Sequence, residues 1–372
     1  MEQSKYLQYA KQMIGLTQCA VNGETPDAAL LDIPEPDALF SVCQSHDLTA
    51  CTAYALESAG VRLPAFTEAK EKAIRKNILL DAERKKILAE LEAAGIWYLP
   101  LKGVLLKDMY PKLGMRQMSD NDILFDETWR EDVRTIMESL GFSCEHYGTG
   151  YNDAYAKPPV CYFEMHSHLL SEAKNPEFYA YYKDLSRRLL PDAETGFGRH
   201  FSQEDFYLFI TVHAYKHYAS GGTGVRSLLD TYVFMQKYGS VLDREYLDRE
   251  LETLGIKEYE LESRTVAEKL FSGQTLSEAE EKTLQYFILS GTYGNPVHMT
   301  ENRLKNAGGS KIRYILKRVF PSMDYVRVYF PFFYRHKILL PVLWIWRPVR
   351  ALFRNRKMLF SEIRALFRSK NR

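Results

Sequence analysis

The sequence predicts an α+β protein, a small mixed sheet with flanking helices set between N-terminal and C-terminal helical regions. Three observations carry this expectation. Apolar residues recur at three- and four-residue spacing over 1–22, over roughly 38–95, and again from Gln203 to about 292, which is the helical period. Between those stretches, short apolar runs at 96–103, 121–125 and 160–170 alternate with helical spacing and glycines, as strands joined by helices do. From 311 onward, aromatic and aliphatic residues interleave with Arg and Lys.

Taken in order, 39-LFSVCQSHDLTACTAYALESAG-60 and 78-ILLDAERKKILAELEAAG-95 read as helices that stop at glycine. The Pro/Asp-rich stretch 23–38 reads as a connection. A strand leaves the stop at Gly95, and helical spacing resumes from Val104 to Tyr110. A loop with Pro111 and Gly114 leads to a strand at 121–125 and a helix at 127–140. Gly141-Phe142 opens another extended stretch, and 160-VCYFEMHSHLL-170 reads as a further strand. Long amphipathic helices follow at 204–219 and 225–239. The chain then divides into a helical region (1–95), a central core (96–200), a helical domain (201–310) and a basic tail (311–372).

A chain of 372 residues can hold two domains with their own cores. Its net charge of +1 hides an asymmetry: residues 1–300 carry 31 Lys/Arg and 45 Asp/Glu, residues 301–372 carry 18 and 3. Five cysteines without a C-x-x-C pair argue against a disulfide framework or a zinc site and fit a reducing compartment. The start, MEQSKYLQYAKQ, lacks the apolar core of a signal peptide, and 338-ILLPVLWIW-346 is too short to span a bilayer. The expectation is a cytoplasmic protein, peripheral at the inner membrane face if its tail binds lipid.

The chemistry concentrates in 97-WYLPLKGVLLKDMYPKLGMRQMSDNDILF-125. In a strand, residues i and i+2 share a face, so Asp120 and Asp122 project two carboxylates together while Ile123 and Phe125 serve the other side. Such a pair suits hard divalent cations bound to phosphates. Gly103 stands between a strand and a helix, where backbone N–H groups can hold a phosphate. Lys102 and Arg116 suit anionic oxygens, and Glu164 alternates out of the apolar strand between Phe163 and Met165.

The order Lys102-Gly103, then Tyr110-Pro111-x-x-Gly114-x-Arg116, then Asp120-x-Asp122, then Gly141-Phe142 and Glu164-Met165-His166 resembles the nucleotidyltransferases of the polymerase-β superfamily. It is most similar to a bacterial family known only as uncharacterised nucleotidyltransferases. A later stretch with His213, His217, Arg226 and Asp230 adds to the likeness. The resemblance covers about 40–350 and is dense at 101–125. It implies that Asp120 and Asp122 bind Mg²⁺ (or Mn²⁺) on the triphosphate of an NTP such as ATP. Glu164 is then the third carboxylate, holding a second metal and helping to deprotonate the acceptor. Lys102, Gly103, Arg116 and His166 form the nucleotide-binding set. One departure stands out. The superfamily's turn is Gly-Gly or Gly-Ser, whereas here Gly103 is followed by Val104, and Lys102 in front is left to replace the missing hydroxyl.

Several features keep two readings. E-x-H-x-H at Glu164, His166 and His168 has the alternation of a transition-metal site, or its histidines lie on the surface or behind the ligands of the site. His213 and His217, at i and i+4, either pack or touch phosphate. Arg226 and Asp230 can pair along their helix, and 220-SGGTGVR-226 either faces the nucleotide or is a flexible connection. The tail can bind nucleic acid, lie on an anionic membrane, with Leu352, Phe353, Met358, Leu359, Ile363, Leu366 and Phe367 as its apolar stripe, or pack on the acidic body. The function expected is transfer of an NMP from an NTP to an unidentified hydroxyl or phosphate with release of pyrophosphate. The alternative is a catalytically inactive nucleotide-binding scaffold held to a membrane or partner by the tail.

Overall fold

The computed structural model describes residues 1–119, 121–148, 150–305 and 307–354. Five short strands form one sheet: β1 (Tyr98–Pro100), β2 (Asn121–Phe125), β3 (Ser143–His146), β4 (Asn152–Lys157) and β5 (Cys161–His166). Their spatial order is β1-β2-β5-β4-β3. Only β2 and β5 run parallel, and the other neighbours are antiparallel. A parallel pair needs a crossover. Here it is the helix Arg130–Ser139 followed by the β3–β4 hairpin. The mixed sheet between helical regions is the expected α+β architecture.

Alternation gives the sheet two unlike faces. Ile123, Phe125, Phe163 and Met165 are fully buried with Leu80, Ile87 and Leu91 of the 30-residue helix Pro64–Ala93 and with Val133 and Met137 of Arg130–Ser139. The other face turns Leu124 toward Leu208, Phe209 and Val212 of the helix Gln203–Ser220. Asp122, Glu164 and His166 share that face. Ser202 starts that helix, its hydroxyl accepting from the Asp205 N–H, which is a side-chain N-cap.

A second core joins Gln3–Asn22, Pro36–Ser45 and Thr49–Ser58 to Val225–Tyr238, Lys257–Phe271 and Glu278–Ser290. His46 is the polar pin of this core. Fully buried, its Nδ1 accepts from the Val225 N–H at 3.2 Å, and its Nε2 lies 3.2 Å from the Tyr6 hydroxyl. Burial pushes its pKa down to about 4, so the ring is neutral.

Four expectations need correction. The helix read over 39–60 breaks at 46–48, where Asp47 takes φ 54° and its carboxylate reaches Arg226 at 2.8 Å. The connection 23–38 contains a one-turn helix, Ala28–Leu31, capped by Asp27. The strand read over 160–170 ends at His166. The helix after Gly103 is a single turn, Gly103–Leu106, continued by a 3-10 turn at Lys107–Met109. Strands β4, β6 (Leu189–Pro191) and β7 (Arg199–Phe201) have no counterpart in the sequence reading. The tail is helical in Lys311–Val319, Met323–Tyr329, Pro331–Arg335 and Leu340–Arg354. Of the stripe expected there, Phe353 is exposed, and Met358, Leu359, Ile363, Leu366 and Phe367 lie outside the described residues.

Candidate active site

Parallel pairing sets Asp122 directly opposite Glu164, so adjacent strands deliver two carboxylates to one spot. Two residues on, His166 closes the group. Its Nε2 lies 3.0 Å from Asp122 Oδ1 and 3.4 Å from Glu164 Oε2. The candidate ligand atoms of the three residues all fall within 4.8 Å of one another. Asp122 is 6% exposed and Glu164 25%, so Glu164 is the carboxylate open to a cavity of about 340 Å³ over the sheet. Asp120, the other half of the expected pair, lies outside the described residues.

Charge around this group is unevenly balanced. Burial raises the Asp122 pKa, but the Lys102 ammonium at 2.9 Å and the His166 ring hold it well below the usual carboxylate range. His166 shows the opposite contest. Burial lowers its pKa, and hydrogen bonds to Asp122 and Glu164 raise it above the ordinary value. Its Nδ1 also lies 3.4 Å from the His168 carbonyl, so both ring nitrogens face oxygen acceptors, as in an imidazolium.

Lys102 is the conformational outlier of the site. Its φ of 44° with ψ −109° is a backbone state that glycine tolerates and side chains resist. The turn's left-handed position is therefore Lys102 itself, one residue before Gly103. The strained backbone sends the ammonium across the cavity floor to Asp122 and to within 3.3 Å of His213 Nε2. Gly103 is required for a different reason: a Cβ there would sit 2.6 Å from Arg116 Nη1.

Arg116 lines the same cavity, its guanidinium forked onto Asp230 at 2.7 and 2.9 Å, and Tyr110 adds a third bond to that carboxylate at 2.8 Å. This corrects the Arg226–Asp230 expectation. The two do not pair along their helix: Arg226 reaches back to Asp47, and Asp230 bridges to the sheet side. The glycine-rich 220–226 stretch is packed. At Gly224 a Cβ would meet Thr292 N at 2.7 Å, and Thr223, Gly224 and Arg226 all face the cavity.

A family model described as "Uncharacterised nucleotidyltransferase" matches residues 33–272, which include every residue of this cavity up to Thr231. The chain belongs to that family. No curated protein and no solved structure matches it. Membership supports a general nucleotidyltransferase role, and on the polar face of the sheet Asp122, Glu164, Lys102 and Lys216 line one cavity.

The E-x-H-x-H trio does not assemble. His168 lies past the end of β5, 3.4 Å from Glu127, and lines a separate cavity. Among the described residues the potential metal group is Asp122, Glu164 and His166. Two acids, one buried and one half-buried, with one imidazole suit a divalent cation that favours oxygen ligands. Sequence reasoning missed Lys216 and Tyr151, which also line the cavity. Burial and Lys102 bring the Lys216 pKa down to about 8, while burial, Lys102 and Lys216 hold His213 well below its ordinary value. A signal was present, since His213, Lys216 and His217 stand at i, i+3 and i+4 and share one helix face. A neighbouring chamber of about 520 Å³ has Ser119, Arg226 and Tyr293 in common with the cavity and adds Lys72, Lys76 and Gln117.

Proposed function

We propose that the protein is a metal-dependent nucleotidyltransferase that moves an NMP from an NTP to a hydroxyl or phosphate acceptor. The single observation that carries this reading is the meeting of Asp122 and Glu164 in register at the floor of a cavity lined with Lys102, His213, Lys216 and His217. Residues 96–200 then form the catalytic core and 201–310 its helical cover.

Asp122 and Glu164, with Asp120, would hold Mg²⁺ or Mn²⁺, and His166 fixes their orientation. When bound, such an ion neutralises triphosphate charge and eases ionisation of the attacking oxygen. The chain's own residues do the rest. Lys102, Gly103 and Lys216 hold the phosphates, and Arg116 keeps the turn at Gly103 in place through Asp230. The acceptor enters from the chamber beside Arg226 and Tyr293. Its hydroxyl oxygen bonds to the α-phosphorus as the bond from that phosphorus to the bridging oxygen breaks. Pyrophosphate leaves with the electron pair, and Glu164, the more accessible carboxylate, takes the hydroxyl proton. Positioning and preorganised charge supply most of the acceleration.

The test is pyrophosphate release from labelled NTPs with Mg²⁺ and a panel of hydroxyl and phosphate acceptors. Glu164→Gln is expected to lose turnover while keeping NTP binding. A wild type that binds NTP without turnover on any acceptor would instead favour the inactive-scaffold reading.

A further inference from the structure

We propose that the C-terminal helices dock the protein onto an anionic lipid surface. This inference is independent of the transfer reading. Of the 24 large apolar side chains exposed among the described residues, 12 lie between 312 and 353. The other 12 are scattered over the preceding chain, so exposed apolar side chains are concentrated in this segment, as they are at interaction faces.

The exposed residues follow helical stripes. On Lys311–Val319 they are Ile312, Ile315 and Leu316, and on Leu340–Arg354 they are Val342, Ile345, Trp346, Val349 and Phe353. Both sets run at i, i+3 and i+4, the spacing of one face. Arg313, Lys317 and Arg318 flank the first stripe and Arg350 the second, with exposed Arg335 and Lys337 between the two helices. Residues 311–354 hold ten Lys/Arg and one acidic residue.

This face belongs to a folded layer. Tyr314, Val326 and Leu343 are buried beneath it, and Phe320 meets Trp344 edge-on at 4.9 Å. Arg327 pairs with Glu172 at 2.9 Å, tying the layer to the segment that follows β5. Leu340–Arg354 has 15 residues and an internal proline, about 22 Å of helix against a hydrocarbon core of about 30 Å. Among the described residues no helix is long and apolar enough to cross a membrane. The geometry therefore suits lying in the interface.

Chemistry selects lipid over the other candidate partners. Nucleic acid uses cations and flat rings, and exposed Ile and Val side chains gain nothing from it. A second copy docked symmetrically through this face would set two strongly basic surfaces against each other, which like charge opposes, and an acidic protein surface would leave the aliphatic stripes without an apolar partner. An anionic leaflet rewards both halves of the pattern, burying the aliphatic stripes and attracting each basic residue near its surface.

The experiment is flotation of the full chain with phosphatidylcholine vesicles, with and without phosphatidylglycerol. Binding to the anionic vesicles is expected to be at least about tenfold stronger and to weaken with salt. Ile338 and Ile345 are 88% and 70% exposed, so the double variant Ile338→Asp/Ile345→Asp is expected to keep the wild-type thermal midpoint. It should lose about tenfold or more in vesicle binding. Equal distribution on the two vesicle types overturns the proposal, as does wild-type vesicle binding by the double variant. Retention of a single-stranded oligonucleotide without vesicle binding overturns it in favour of nucleic acid.

Discussion

Two carboxylates that line one cavity, Asp230 and Asp122, are balanced in different ways. Asp230 is closed. A forked arginine and a tyrosine hydroxyl occupy its oxygens, and all three belong to packed elements. Asp122 is open. Its partners are one ammonium on a strained turn and one imidazole, both lining the cavity and both replaceable by an incoming cation. A forked arginine pair fixes geometry. A carboxylate held by exchangeable point charges beside a second carboxylate is poised for ligand chemistry. Asp230 is thus the joint between sheet and helices, and in the proposed reaction Asp122 is the working group.

Substitutions can break this comparison, beginning with the largest effect. Asp122→Asn is expected to lower nucleotidyl transfer by about 10³-fold or more, because charge at the phosphates is lost, while the fold persists. Circular dichroism alongside turnover separates the two outcomes. Asp230→Ala should do the reverse and destabilise the fold by about 3–5 kcal/mol, because it leaves the Arg116 guanidinium buried without its carboxylate. Denaturant midpoints measure it, and a loss under 1 kcal/mol would mean that the joint is not where the two walls are held.

Acid sharpens the contrast from a third place. The folded pKa of His46, about 4, is below its ordinary 6.5. Between those values the unfolded chain binds a proton that the folded chain does not, so stability falls as pH drops through this window, by about 3 kcal/mol in all. His46→Gln should flatten that slope in denaturant titrations at pH 7 and pH 4.5. An unchanged slope would show that the neutral ring is not the pin.

Smaller effects mark the edges of the site. Lys216→Met should raise the KM for NTP about tenfold with a lesser change in kcat, the pattern of lost ground-state binding. His168→Ala should alter stability by no more than about 0.5 kcal/mol and leave turnover unchanged, since it lies outside the cavity. A large loss of turnover would return His168 to the site.

Much of this was legible in the chain. The helical flanks, the strand at 121–125 and the emergence of Asp122 and Glu164 from apolar strands follow from alternation and length, and of the residues that carry the family likeness Lys102, Gly103, Arg116, Asp122, Glu164 and His166 line the cavity. What local pattern could not supply was register. Nothing in the two segments says that 122 pairs with 164, since pairing is chosen by the whole sheet. Strand β4, 152-NDAYAK-157, is short of the β-branched residues that mark strands, and it exists because β3 and β5 flank it. Lys216 shares a helix face with His213 and His217, but its helix packs on the sheet on one side and on helices on others, which blurs the amphipathic signal that would single that face out. Arg226 and Asp230 looked like a pair at i, i+4, but each had a stronger partner far along the chain.

The most direct test is calorimetric titration of a non-hydrolysable NTP into the wild type and Asp122→Asn, each with Mg²⁺ and with chelator. The account predicts tight binding only for the wild type with Mg²⁺. Equal affinity in all four arms would contradict it, placing the nucleotide away from the Asp122–Glu164 pair.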